Sequence, residues 1–445
     1  MKDFRLGIYR IIIFAWLVFV SCQQPKEENA IAVPTPEEIN DAYIYLLSRY
    51  LIIQQENVDI NINKTNYNEF RHNPLGDYSF VNPNMDVAIS EAWIAVDDSS
   101  VVVVNIPKID GRYYTAQIID SWGEVITNLN ERMYPEHPDG AFAFVTKGST
   151  VKIPEGALRI EIPGTKAKVL TRVQLKNDNE GALALQRKFT IAAPAGIKIS
   201  QPIQIPDFSN TNLISVAIFD KVKEVLNSQP DFMPNAEKYQ AIVNKVSAYT
   251  NSNKAARETT DSLLVNKVIP NFLEGSKGFG SQKDGWSISY VLGNSGGDIV
   301  TRAILNYGGI WGNVKSEVLY FIGLTDNNKE LLSGDHVYEI KFPKGSLPEE
   351  VVNSYWALTL YSVPDYRIVP NNIDRFGLGS ASNLKKNKDG SLSIWVASEK
   401  PTGAILDNWL PSPKGKGFAL TLRIYVPKDL VKNGEWFPSA IVKKN

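Results

Sequence analysis

The sequence predicts a β-rich α+β fold: two antiparallel β-sandwich or jelly-roll-like domains joined by a helical segment. Three observations predict it. Short apolar or alternating runs, punctuated by Gly, Pro and Asp-Gly turns, fill two stretches at about residues 86–185 and 286–445. Between them, residues 211–271 lack glycine and their apolar side chains recur at helical spacing. The length of 445 residues accommodates two or three domains at about 100–200 residues each.

The expected order is a leader at 1–21, a tether at 22–35, an N-terminal β-rich domain at 36–200, a helical linker at 208–273 and a C-terminal β-rich domain at 286–445. The leader begins with Lys2, Arg5 and Arg10, followed by an uninterrupted apolar run at 11–20. That run is shorter than the roughly 20 residues a bilayer span needs, and it fits the core of a secretory signal. The only cysteine, Cys22, follows the small residue Ser21 in Phe19-Val20-Ser21-Cys22, which resembles a bacterial lipobox with Phe where Leu is preferred. A lipid would be joined to the thiol as a thioether, and multiple acyl chains anchor stably where one is marginal. The polar, Pro-containing residues that follow read as a semi-extended tether. Within it, Lys26-Glu27-Glu28 resembles the export signal of surface lipoproteins in Bacteroidetes-type bacteria.

Thr35, Pro36, Glu37 and Glu38 form a helix start of N-cap, Pro and early acids. Ile39, Ala42, Tyr43, Leu46, Leu47 and Tyr50 continue it at 3.6-residue spacing. Residues 101–104 are four consecutive valines, which suggests a strand buried on both faces. Asp110-Gly111 signals a tight turn before the aromatic and β-branched segment 112–120. In the linker, Ile214, Ala217, Ile218, Val222, Val225 and Leu226 share one helical stripe, and Ala241, Ile242, Val246 and Tyr249 continue the period after a Pro-containing break. Residues 262–269 are a third helical candidate, and 298–307 a fourth. Phe418, Leu420, Leu422 and Ile424 alternate with Ala419, Thr421, Arg423 and Tyr425, the clearest period-two strand in the chain. That alternation places Arg423 and Tyr425 opposite the aliphatic face.

Composition excludes several functions. The chain has 47 Lys and Arg against 48 Asp and Glu, a net charge of −1, so no chain-wide basic excess exists to hold a nucleic-acid backbone. One cysteine and three histidines leave no Cys-rich zinc site and little imidazole for metal ligation. Neither a P-loop nor a G-x-G-x-x-G is present, and no cofactor or metal is expected. Gly293-Asn294-Ser295-Gly296-Gly297 imitates a serine-nucleophile loop, but no histidine motif of the usual kind accompanies it. A turn and helix cap is the expected reading. Asp326-Asn327-Asn328 loosely imitates a calcium loop, but Leu331 occupies the position that needs Gly, so a turn is expected there too. Trp395 interrupts an alternating strand and would face outward, where a ring can stack on a sugar.

The chain resembles a two-domain bacterial family catalogued as the domains of unknown function 1254 and 1214. The first domain's resemblance rests on the aliphatic strand ending at Pro107, on Gly111-Arg112-Tyr113-Tyr114 and on Ile118-Ile119-Asp120. A further stretch, Glu131-Arg132-Met133-Tyr134, matches only in part. The second rests on Asp298, Arg302-Ala303, Tyr338, Trp356 to Tyr361, Asn372, Arg375-Phe376, Asp389-Gly390-Ser391, Asn408-Trp409-Leu410-Pro411, Arg423, Tyr425, Pro427, Gly434 and Trp436. The resemblance implies two β-rich domains joined by helices and no settled activity.

Arg112, Tyr114, Asp120, Arg375, Trp409, Arg423 and Tyr425 are the resulting candidates for a ligand site, read as lining a cleft between the domains. The same residues also suit a purely structural role, with Arg112 or Arg423 bracing strands through charge-assisted bonds. The leading expectation is an envelope lipoprotein of the outer membrane, held by a lipid at Cys22, that binds a glycan or small organic ligand. Alternatives are a hydrolase using carboxylates such as Asp120 and Asp374, and an assembly protein of the envelope. If the tether carries the protein to the outer face, protease added to intact cells is expected to digest it. Complete protection would refute surface exposure.

Overall fold

The computed structural model describes residues 31–76 and 82–444. The leader, Cys22 and most of the tether lie outside the described residues. Helix α1 (Pro36–Asn57) opens the fold. A capping box starts it: Glu38 N–H donates to Thr35 Oγ1 at 3.1 Å, and Thr35 N–H donates to Glu38 Oε2 at 2.7 Å. A wide π turn, Val58–Ile62, prolongs it.

The N-terminal sandwich follows in nine strands: β1 (Arg71–His72), β2 (Val87–Ala95), β3 (Val102–Ile106), β4 (Tyr114–Ile119), β5 (Val125–Leu129), β6 (Gly140–Thr146), β7 (Leu158–Ile162), β8 (Lys166–Gln174) and β9 (Thr190–Ala192). One sheet runs β1-β2-β8-β4-β5 and the other β7-β6-β3-β9, with only the β6–β7 pair parallel. Val104, Ile118, Phe142, Phe144, Ile162 and Val169 fill the space between them. Helix α2 (Asn179–Gln186), with no strong sequence signal, lies against β2 and β8.

The C-terminal sandwich has strands β10 (Ser281–Lys283), β11 (Trp286–Ile288), β12 (Val318–Gly323), β13 (Val337–Phe342), β14 (Trp356–Ser362), β15 (Gly377–Gly379), β16 (Leu392–Ala397), β17 (Trp409–Pro411), β18 (Phe418–Tyr425) and β19 (Ile441–Lys444). The sheets are β10-β11-β12-β18-β14-β15 and β17-β16-β13-β19. Ile340, Leu358, Ile394, Leu420 and Leu422 pack between them. The expected α+β class with two β-rich domains is therefore the observed one.

A helical layer joins the sandwiches, but it is not confined to the linker. Helices α3 (Val222–Ser228), α4 (Ala236–Thr250), α5 (Lys254–Leu263) and α6 (Ile269–Ser276) come from the middle segment, and α7 (Ile299–Gly309) from the C-terminal one. Helix α1 lies at their centre, packed on α4 and α7 and buried at every residue from Ala42 to Ile53. Tyr43, Leu47, Phe219, Val243, Val246 and Ala303 share its core. Periodicity finds these helices, but it cannot show that α1 and α7 leave their sequence neighbours to pack together.

Local expectations are met unevenly. Thr301 N–H donates to the Asp298 carboxylate at 2.6 Å, which caps α7 where the Gly-Asn-Ser-Gly-Gly turn ends. The Asp326 carboxylate accepts from the N–H groups of Asn328 and Glu330, a turn as expected. Gly111 takes the left-handed conformation (φ +73°) that a tight turn demands, but β3 and β4 lie in opposite sheets, so the turn crosses the sandwich instead of closing a hairpin. Strand β3 is not buried on both faces: Val102, Val104 and Ile106 are buried while Val103 and Asn105 are half-buried. Its second face is only partly covered.

Strand β8 is buried along all nine residues although it carries two lysines and an arginine. Ala167, Val169 and Val173 face the sandwich core, and the alternate residues face out. Lys166 Nζ meets Glu56 Oε1 at 2.7 Å, and Lys168 Nζ meets Asp59 Oδ2 at 2.7 Å and Glu91 Oε2 at 2.8 Å. The rings of Trp93 and Trp311 lie 5.4 and 5.6 Å from Lys168 Nζ. Burial alone would lower the Lys168 pKa, but the two carboxylates hold it above the usual lysine value. Removing the cation strands one buried and one partly buried anion, a loss of about 3–5 kcal/mol. Lys168→Met is therefore expected to lower the midpoint of thermal unfolding by roughly 5 °C or more. Lys254→Met, which breaks an exposed pair with Glu258, is expected to leave it nearly unchanged. Equal midpoints for the two variants would refute this assignment.

Candidate functional site

A cleft of about 1010 Å³ opens where the sandwiches meet. The N-terminal domain contributes residues 108–114, Arg132, Gln174 and Asn177, and the C-terminal domain contributes residues 353–355, Ser380 and Ala381. The Asp110-Gly111 turn projects the first wall, and the start of β14 projects the second.

Beneath the cleft lies a buried polar and aromatic floor. Tyr113 OH donates to Glu317 Oε2 at 2.9 Å. Glu317 also accepts from Arg132 Nη2 at 2.8 Å, from Arg132 Nε at 3.2 Å and from Asn130 Nδ2 at 3.1 Å. The Arg132 guanidinium covers the Tyr113 ring, 4.8 Å from its centroid. Tyr113 meets Tyr355 and Tyr425 edge-on at 5.8 and 5.1 Å, and those two stack at 4.0 Å. Burial, reinforced by the Glu317 charge, pushes the Tyr113 phenol well above its usual range. Burial does the same to Tyr355, so both stay protonated. Tyr355 OH is buried and has no hydrogen-bond partner.

The cations lining the cleft already have partners. Arg112 Nη2 pairs with Asp178 at 2.7 Å and Arg112 Nη1 donates to the Gln174 carbonyl at 3.1 Å. Lys176 Nζ donates to the Gly111 carbonyl at 2.6 Å, and Lys108 lies 3.7 Å from Asp110. An anionic ligand would have to compete with these contacts. Hydroxyl groups could instead share the amides of Gln174, Asn177 and Asn353 and the hydroxyl of Ser354.

Of the seven candidates from sequence, Arg112 and Tyr114 line the cleft. Tyr114 OH donates to the Pro138 carbonyl at 2.8 Å. Arg423 and Tyr425 lie at the domain junction and grip the N-terminal domain's segment 82–84. Arg423 Nη2 donates to the Asn82 carbonyl at 3.0 Å, and Tyr425 OH accepts from Asn84 Nδ2. Arg375 and Trp409 do not reach the cleft: Arg375 Nη1 donates to the Trp409 carbonyl at 2.9 Å, and Trp409 Nε1 donates to the Ala397 carbonyl at 2.9 Å. Trp395 sits half-buried beside Trp409 in register. Asp120 lies in the β4–β5 turn, where its Oδ1 accepts from Trp122 and Glu124 N–H at 2.8 and 2.9 Å. Burial pushes its carboxyl up to about 6. Asp374 is exposed in a C-terminal-domain loop, so these two carboxylates do not converge on one cavity. Ser295 is hydrogen-bonded to Glu124, not to a histidine. Among the described residues, no group of three or more His, Cys, Asp or Glu could hold a metal ion.

Sequence reasoning passed over Tyr113, Arg132, Glu317 and Tyr355. Tyr113 and Arg132 stand inside motifs that carry the family resemblance, and Tyr355 precedes the Trp356 motif. Glu317 has no local signal, because its partners are about 185–205 residues away in sequence.

Two sandwiches clasped about a helical layer, with a cleft at their junction, define the architecture. The family models for proteins of unknown function DUF1254 and DUF1214 match residues 67–193 and 317–429, and the chain belongs to the two-domain family they describe. No curated protein matches it. Among solved structures, the VPA0106 protein of Vibrio parahaemolyticus is similar, with a TM-score of 0.67 at 20% identity over 92% of this chain and 100% of that one. That similarity supports the fold alone. An uncharacterised protein of Burkholderia cenocepacia aligns over 94% of this chain and 91% of its own, at 11% identity and a TM-score of 0.44.

Asp86 sits at the same junction, with Oδ2 buried and without a hydrogen-bond partner. Burial pushes its carboxyl up to about 6, with the Arg423 charge opposing in part. An unfolded aspartate titrates near 4. Between those values the folded state binds the extra proton, so this group's contribution to stability falls as pH rises from about 4 to 6 and is flat above. Asp86→Asn removes that penalty. It is expected to be more stable than the parent at pH 7 by about 2 kcal/mol, with the advantage vanishing toward pH 4. Urea unfolding at both pH values measures the difference, and a pH-independent difference would refute it.

Proposed function

We propose that this protein is a cell-envelope lipoprotein, held to a membrane through Cys22, whose interdomain cleft binds a neutral glycan. The anchoring half rests on the leader and lipobox of the sequence. No helix among the described residues is long and apolar enough to cross a membrane. The binding half rests on one observation. The cleft of about 1010 Å³ carries amides, hydroxyls and tyrosines among its charged lining residues, and its cations are paired within the protein. Its size is typical of ligand pockets, which favour domain interfaces. A polyhydroxylated, uncharged ligand gains from such a wall without displacing an ion pair, and tyrosine edges add apolar contact for sugar rings.

Ala381 tests the reading, because its side chain is exposed at the rim and its carbonyl alone is used, accepting from Asn177 Nδ2 at 2.7 Å. A bulky ring there would fill the cleft without touching the floor. Ala381→Trp is expected to weaken binding of neutral oligosaccharides about tenfold or more in calorimetric titration, with the unfolding midpoint unchanged. No binding across an oligosaccharide series by the parent protein, or equal binding by the variant, would sink the proposal.

A further inference from the structure

A second cavity, of about 740 Å³, lies away from the domain cleft, between α1, the first residue of β8, helix α3 and the extended segment 200–203. Its wall is polar, with Ile203 the only aliphatic residue among those lining it. Ser200, Gln201, Asn227, Ser228 and Gln229 present hydroxyls and amides. The remaining lining residues are charged, and their pairing is incomplete.

Each carboxylate of the wall is committed. Glu56 takes Lys166 at 2.7 Å and the Tyr67 hydroxyl at 2.6 Å. Asp220 takes both terminal nitrogens of Arg257, at 2.6 and 3.1 Å. Glu224 lies 3.5 Å from Lys221. Two cations are left over. Arg49, 2% exposed, donates to the Ser121 carbonyl at 2.7 Å and to Ser228 Oγ at 3.2 Å, and its buried Nε has no partner. It makes no ion pair with any carboxylate among the described residues. Burial lowers the guanidinium to about 10, which leaves it charged at neutral pH. Lys223 stands exposed, with no carboxylate among the described residues within ion-pair distance. The charges of Glu56, Asp120 and Asp231 act on Arg49 from a distance and offset burial in part. A buried guanidinium without a direct ion pair is still costly, and an anion within the cavity relieves that cost.

From this wall we infer that the cavity binds a small hydroxylated anion, such as a sugar acid or a sugar phosphate, with Arg49 on the inner wall as the principal cation and Lys223 attracting the ligand from outside. The hydroxyl and amide side chains of the wall fit the ligand's hydroxyl groups. A carboxylate and a phosphate share this chemistry, since both accept from a guanidinium in bidentate fashion.

Isothermal titration of the purified full-length protein with D-galacturonate, glucose 6-phosphate and neutral D-glucose tests the inference. At least one anion is expected to bind at least tenfold more tightly than glucose, and whichever binds better identifies the carboxylate or the phosphate as the recognised group. Lys223→Glu, at an exposed position that leaves the packing intact, is expected to weaken that anion at least fivefold. Arg49→Gln is expected to weaken it at least thirtyfold, judged only if its circular dichroism and unfolding midpoint show a folded protein. Ala381→Trp, which fills the other cleft, is expected to leave it unchanged. The inference is overturned if neither anion binds, if glucose binds equally, if Lys223→Glu has no effect, or if Ala381→Trp abolishes binding. The last outcome would move the anion to the domain cleft.

Discussion

The outer face of β8 is the constraint on which the rest of the architecture depends. A strand buried on both sides normally carries apolar residues on both. Here the face turned from the sandwich core carries Lys166, Lys168 and Arg172, and all three are buried. Whatever packs there must bring acceptors in the right places. Residues two apart on a strand are separated by about 7 Å, and residues three apart on a helix rise by about 5 Å. Glu56, near the end of α1, and Asp59, in the π turn beyond it, therefore reach Lys166 and Lys168 together. Arg172 is met by Gln117 Oε1 at 2.6 Å and by the Trp311 carbonyl at 3.2 Å. Because Trp311 follows α7, that last bond ties the N-terminal sheet to the chain that enters the C-terminal domain. Apolar packing would tolerate small shifts of the helical layer over this sheet. Paired charges fix its register.

The C-terminal sandwich meets the same demand with different chemistry. Strand β18 is also buried at every residue, and its outer face presents Thr421, Arg423 and Tyr425. The covering element is the segment 82–84 of the other domain, and its acceptors are two backbone carbonyls and the Asn82 side-chain amide oxygen. Arg423 reaches the Asn82 carbonyl, Tyr361 OH donates to the Pro83 carbonyl at 2.6 Å, and Thr421 Oγ1 donates to Asn82 Oδ1 at 3.2 Å. A guanidinium and a phenol need acceptors, and backbone oxygens supply them without adding charge. The two residues that alternation placed on an outward face are thus among those that hold the domains in contact. Their bearing on a ligand is indirect: they set how far apart the walls of the cleft stand.

Local chemistry was legible in the sequence, while the long-range consequences of that chemistry were not. Thr35 with Glu38, and Asp298 before α7, are self-contained capping signals, and both form as read. The alternation in β18 correctly separated its two faces. What covers the second face is a segment more than 330 residues away, and no local pattern reports it. Helix α1 shows the same limit from the other side. Its 3.6-residue stripe reads as one apolar face, yet Tyr45 and Arg49, off the stripe, are buried by partners from the linker and the β4–β5 turn. Gly111 was legible as a turn, but its neighbours did not say whether the turn joins partners in one sheet or crosses between sheets. Glu317, on which the cleft floor rests, stands in an unremarkable loop sequence. Its role comes from Tyr113 and Arg132, which only the assembled fold brings to it.

The two cavities differ in a way that follows from this charge accounting. In the domain cleft every lining cation has found a partner within the protein, because the walls come from loops free to bring one. In the second cavity Arg49 projects from the middle of a helix fixed on several sides, and the acceptors within its reach are a carbonyl and a hydroxyl. The cations of the first cavity are therefore already neutralised within the protein, while Arg49 in the second has no direct ion pair. Strand β8 touches both, through Lys166 at one end and Gln174 at the other. It is paired with β2 along its length and with β4 from Lys168 to Val173. Strand β8, paired on both edges and covered on both faces, sets the spacing of the two cavities it borders.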